Sequence, residues 1–173
     1  MIVMEAISHG GARLSKTVPV TFGDAMFWAY DVALAVLFIE AAHVGSERPA
    51  NLRPAWWPEL EQVLHTHALV GSSFAVQLDD FAPERREVFL NSVAEAAERI
   101  EARGGVSRHE VSTWPELQES ATSFLRGAEH INAAPLVELA KAFVDLAAGT
   151  LPPAPAGRYW FYGTPHGRVV QGN

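Results

Sequence analysis

Between Asp24 and Ala42 the chain has almost no polar position. The run Ala25-Met-Phe-Trp-Ala-Tyr-Asp31-Val-Ala-Leu-Ala-Val-Leu-Phe-Ile39 is broken only by Asp31. So even a distribution places apolar side chains all round a helix, not along one stripe, and predicts a helix over Asp24–Ala42 that is buried on every face. Thr21 or Gly23-Asp24 can cap it, Asp24 suits the positive end of its dipole, and Gly45-Ser46 should end it. The run is about fifteen residues long, short of the roughly twenty that a bilayer requires. Asp31 would also be costly in hydrocarbon. Burial in protein is therefore expected, with no membrane.

The later segments show narrower stripes. Trp57-Pro58-Glu59 opens a second helix whose Leu60, Leu64, His67, Phe74 and Leu78 share a face, which extends it to about Asp80. A third runs from Pro83 to Gly104-Gly105, with Phe89, Val93, Ala96, Ala97 and Ile100 inward and charged side chains elsewhere. Val106–Ser112 reads as a connector. Thr113-Trp114-Pro115-Glu116 has the capping-box pattern and predicts a fourth helix through Leu117, Ala121, Phe124 and Leu125. The fifth covers Pro135–Ala148, with Leu136, Leu139, Ala140, Phe143 and Ala147 inward. Trp57-Pro-Glu-Leu60 and Trp114-Pro-Glu-Leu117 echo one another at two of these helix starts, but the flanking halves do not align.

The termini alternate differently. Ile2–Ile7 and Leu14–Val20 are β-prone around a Ser8–Gly11 turn, and Pro19 confines the second strand to an edge. Arg158–Tyr162 and Arg168-Val-Val flank a Gly163–Gly167 turn and predict a hairpin. Its four consecutive aromatics must point to both faces, two toward the helices and two toward a second surface. The fold class expected is mainly α: a bundle of about five helices with a small β element from the N- and C-terminal segments. One domain is expected over 1–173, divided into a β-like segment 1–20, a helical bundle 21–148, a proline-rich connector 149–157 and a hairpin 158–173.

Composition narrows the function classes. At 173 residues, 49% hydrophobic and 19% charged, the chain has globular proportions. It has no cysteine, which excludes disulfides, thiol catalysis and zinc fingers and suits a reducing cytoplasm. The start shows no basic segment followed by an apolar one, so no secretory signal is expected. A net charge of −7 with scattered Lys and Arg argues against nucleic acid as partner. Acidity would speed association with a basic partner protein.

No phosphate-binding glycine loop, nucleophile elbow or zinc-protease helix is present, and no cofactor is expected. The metal-ligand spacings are weak. Glu40-x-x-His43 matches half of a di-iron pattern, and Glu61 and His65 share a helix face, so the four could converge only if the first two helices pack antiparallel. A metal site is not favoured over a polar helix end and a surface pair. His65 and His67 diverge by about 200° on a helix, which leaves His67 among core residues. Asp31 needs a partner, an arginine or a tryptophan N–H, or else it lines a pocket with a raised pKa.

Two functional readings follow. The first is an acidic, soluble, cytoplasmic protein that recognises a partner protein in an inhibitor-like or assembly role, with homo-oligomers open to it. The second is a small-molecule-binding protein or enzyme. Its pocket for a small apolar or aromatic ligand would be lined by Trp28, Tyr30, Trp56 and Trp57, with Asp31, and His67 beside it, as general acid and base.

Overall fold

The apolar run expected to form one helix divides at Tyr30-Asp31. In the computed structural model, which describes residues 17–70, 74–117 and 120–172, Ala25–Tyr30 is a strand, β2, and the helix α1 spans Asp31–Glu47. The strand buries Phe27 and Ala29 on one face and leaves Met26, Trp28 and Tyr30 half-buried on the other. That period of two belongs to a sheet, and aromatic residues suit it. Asp24 therefore caps no helix. Gly23 and Asp24 form the two-residue loop of a hairpin with β1 (Thr17–Phe22), in register from Thr17↔Tyr30 to Phe22↔Ala25. Gly23 has a φ of +56°, as the first position of such a loop requires of glycine. Its N–H donates to Asp79 Oδ2 at 2.9 Å, so Asp79 braces this turn.

The architecture is α+β, which corrects the expectation of a mainly α bundle. A five-stranded mixed sheet has the order β3-β1-β2-β6-β7. The strands beside β1 and β2 are β3 (Val76–Gln77), β6 (Arg158–Thr164) and β7 (Gly167–Gly172), with β3 and β7 at the edges. β1 and β2 pair antiparallel, as do β6 and β7, while β1 with β3 and β2 with β6 are parallel. A second, two-stranded sheet joins β4 (Gly105–Ser107) to β5 (His130–Asn132). The terminal β element is thus larger than expected because β2 comes from the apolar run itself. Pro19 is tolerated because β3 meets β1 only at Val20 and Thr21, beyond the proline. The expected strand at Ile2–Ile7 and its turn lie outside the described residues.

The helices are α1, α2 (Trp57–Val70), α3 (Pro83–Ala102), α4 (Arg108–Ser112), α5 (Ala121–Phe124) and α6 (Ala133–Ala148). Every residue of α1 from Asp31 to Ala42 is buried. The helix packs against α2, α3 and α6 and against the sheet. Among the described residues no helix is long and apolar enough to cross a membrane. A run of aromatic contacts, Tyr162–Phe27–Phe143–Phe38–Phe89, edge-to-face except for the tilted Phe143–Phe38 pair, links the sheet through α6 and α1 to α3. Centroid spacings of 5.2 to 5.7 Å make each pair worth about 0.5–1.5 kcal/mol beyond its burial.

Two helix ends depart from expectation. α2 is described over Trp57–Val70, and Phe74, expected inward on that helix, lies outside it and is exposed; Leu78 belongs instead to a short turn at Leu78–Asp80. The second Trp-Pro-Glu-Leu opens no helix. Thr113 Oγ1 donates to the carbonyl of Glu110 and so finishes α4, and residues 114–117 form turns. The tetrapeptide echo is not a structural repeat.

Candidate functional site

Asp31 is the first residue of α1, its side chain is fully enclosed, and its Oδ2 accepts from Arg126 Nη2 at 2.6 Å. An arginine was one of the two partners that its burial demanded. Arg126 itself is unusual. α5 closes with the N–H of Gly127 on the carbonyl of Thr122 at 2.9 Å and that of Arg126 on Ser123 at 3.1 Å, the paired bonds of a Schellman motif. Arg126 fills the left-handed position that such motifs usually give to glycine, with φ +52°, and it is the one non-glycine with positive φ among the described residues. An L side chain there is strained, and the strain is sustained where the side chain is needed.

Arg126 forms part of the wall of a pocket of about 240 Å³. The pocket lies where the starts of α1 and α6 approach the bulged part of β6. Tyr30 and Ala33 contribute from the first, Asn132 and Pro135 from the second, and Gly163 from the third. Leu125, Ala128, Ile131 and Pro165 make most of the remaining wall apolar, and His130 adds an imidazole to it. Gly163, at φ +83°, is required by close approach as well as by conformation, since a Cβ there would sit 2.8 Å from that of Ala33. Neither Tyr30 nor Asn132, the residues preceding α1 and α6, caps its helix through a side chain.

Of the residues expected to line a pocket with Asp31, Tyr30 borders the pocket beside Arg126. Trp28 lies on the sheet face away from the helices, opposite Phe161 and Pro19. Trp57 is buried against α1, where its Nε1 donates to Ser46 Oγ at 3.1 Å. Trp56 is half-buried with the Arg85 guanidinium 5.2 Å over its ring. Asp31 is sealed behind Arg126 and does not line the pocket.

His67 is elsewhere. Its ring meets the edge of Phe38, and it borders two adjoining hollows of about 460 and 370 Å³, which share Val63, Gln77 and Asp80. Neither hollow shares a lining residue with the Arg126 pocket, and Asp31 lines none of the three. Burial pushes the His67 imidazole below the usual histidine range, opposed by the negative charge of Asp80. The sign of the linkage follows. As pH falls below about 6.5, the unfolded chain takes up a proton that the folded one resists, so folding stability should decline. Urea unfolding at a series of pH values should show this slope reduced in His67→Gln; an identical slope would remove His67 as its source.

The four weak metal candidates also separate. Glu40, buried near the middle of α1, pairs with Arg103 at 3.0 and 3.1 Å, and Glu61 accepts from Ser46 at 2.7 Å. His43 and His65 do meet, but on Glu116, whose Oε1 lies 3.1 and 3.2 Å from their Nε2 atoms. Among the described residues no group of three or more His, Asp or Glu side chains is arranged to hold a metal ion. Glu116 was expected to cap a helix, and no local signal assigns it to the two imidazoles.

Sequence reasoning missed Arg126. Its only local sign is the Arg126-Gly127 pair after a short apolar helix. Comparison of the chain with protein-family models, with curated proteins and with solved structures finds no match.

Proposed function

We propose that this protein binds a small organic molecule in the pocket beside Arg126. One observation carries the reading: a non-glycine residue kept in a left-handed backbone, its guanidinium anchored on a buried carboxylate, lines an otherwise largely apolar pocket. Strained residues of this kind concentrate at functional sites. An apolar pocket with a few convergent polar groups is the usual form of a small-ligand site. Asp31 serves here by positioning Arg126, and the pocket's own chemistry is recognition.

The test is a fragment titration followed by amide shifts in ¹⁵N-labelled protein. Fragments should move Ala33, Leu125, Ile131 and Gly163, and Ala128→Phe, which fills the pocket from a half-exposed position, should abolish those shifts while leaving the fold intact. Fragments that perturb only the His67 hollows, or that bind the Ala128→Phe variant unchanged, would sink the proposal.

Recognition of a partner protein is the second reading. Leu69, Val70 and Phe74, at and just beyond the end of α2, are 44%, 50% and 52% exposed, an outlay of apolar surface that a partner would cover. Its check is whether Leu69→Ser with Phe74→Ser loses a protein that co-purifies with the wild type.

A further inference from the structure

We infer that the ligand of this pocket is a carboxylate with a compact apolar body, its charged end gripped by Arg126; this rests on the small-molecule reading above. Among the described residues the basic side chains on the wall are Arg126 and His130, and no Asp or Glu lines it, although the chain as a whole carries a net charge of −7. A cation entering would find no counter-ion. A guanidinium is a planar fork of five donors, matched to the two oxygens of a carboxylate. Asp31 takes its bond through Nη2 from the enclosed side, where its own side chain has no exposure, whereas that of Arg126 is 21% exposed. The buried carboxylate thus orients the fork without occupying the cavity. The start of α6, which lacks a side-chain cap at Asn132, adds backbone N–H groups and the positive end of a dipole on the same side.

The rest of the wall sets the ligand's body. Ala33, Leu125, Ala128, Ile131 and Pro135 make it mostly apolar, with Tyr30, His130 and Asn132 as its other polar members, and about 240 Å³ leaves room for a single ring or a short branched chain.

Benzoate and benzamide share one ring and differ in the charge of the head group. In the amide-shift titration, benzoate should bind the wild type at least ten-fold more tightly than benzamide. Arg126→Gln should bring the two within about two-fold, and Arg126→Lys, which keeps the charge without the fork, should fall between. Equal binding of both probes at the pocket would overturn the carboxylate assignment and leave the small-molecule reading standing. If neither probe moves Ala33 or Gly163, while the fragments above do, the carboxylate class is again wrong; silence from every compound removes both. The wild-type ratio needs no variant, so loss of folding in Arg126→Gln does not spare the inference.

Discussion

Gly45→Ala should lower stability by about 3 kcal/mol, although the same change at an exposed helix position would raise it by about 1 kcal/mol. Gly45 lies in the last two turns of α1, and a Cβ on it would overlap Cη2 and Cζ2 of Trp57. The indole cannot retreat. It is buried, its Nε1 is tied to Ser46, and Ser46 in turn donates to Glu61. Either the helix shifts from α2 or the tryptophan leaves its site, and loss of a buried tryptophan costs about 3–5 kcal/mol. For a chain of this length the midpoint should fall by about 6–12 °C. A thermal scan of the variant measures it. The mechanism is checked by a double-mutant cycle. Trp57→Phe removes the overlapping ring atoms, so Gly45→Ala combined with Trp57→Phe should cost less than the sum of the two, by at least about 1 kcal/mol. Additive effects would show that the close approach is not what glycine serves at this position.

What the sequence made legible follows from contrast between faces. α3 alternates a charged surface with the stripe Phe89, Val93, Ala96, Ala97 and Ile100, all buried, and its limits were expected to within a few residues. α6 and the hairpin Arg158–Gly172 were readable for the same reason, and of the aromatic run Tyr162 docks on Phe27 while Phe161 faces the other side with Tyr30. The stretch Ala25–Ala42 offers no contrast. A strand with one covered face runs directly into a helix covered on all faces, so the hydrophobic signal never changes at Asp31, where the backbone does. The surviving clue was Gly23-Asp24, which serves equally as a helix start or a hairpin turn, and the length of the apolar run favoured the former.

The site was legible only by half. A carboxylate in so apolar a stretch had to have a partner, and it has one, but the partner stands 95 residues away in the chain. Local patterning cannot specify such a pair, since either residue alone reads as an ordinary charge. The second Trp-Pro-Glu-Leu failed for a related reason. Its glutamate and tryptophan are used across the fold, Glu116 by His43 and His65, and Trp114 by the edge of the His43 ring at 5.6 Å. Long-range partners therefore override the helix that the tetrapeptide would otherwise start.

Arg126→Ala should destabilise the protein by about 3 kcal/mol, the lower end for breaking a buried ion pair because the Arg126 side chain is one-fifth exposed. The variant strips from an enclosed carboxylate the cation that the fold places on it. Asp31→Ala should cost less, because the long guanidinium stem can swing its charge toward solvent. Arg126→Gly separates the two roles of the position. It loses the ion pair but relieves a left-handed conformation that costs an L residue about 1 kcal/mol, so it should be the milder of the two Arg126 variants by about that amount. Combining Asp31→Ala with Arg126→Gly removes the stranded carboxylate together with the strain, and this double variant should be more stable than Arg126→Ala alone. Urea midpoints of the four variants give the ordering directly. Should Arg126→Gly prove more stable than the wild type, the pair contributes less than the strain it sustains, and Arg126 is retained for the ligand alone. Should Arg126→Ala cost under about 0.5 kcal/mol, the carboxylate does not depend on this cation, and the guanidinium's orientation toward the pocket loses its structural cause.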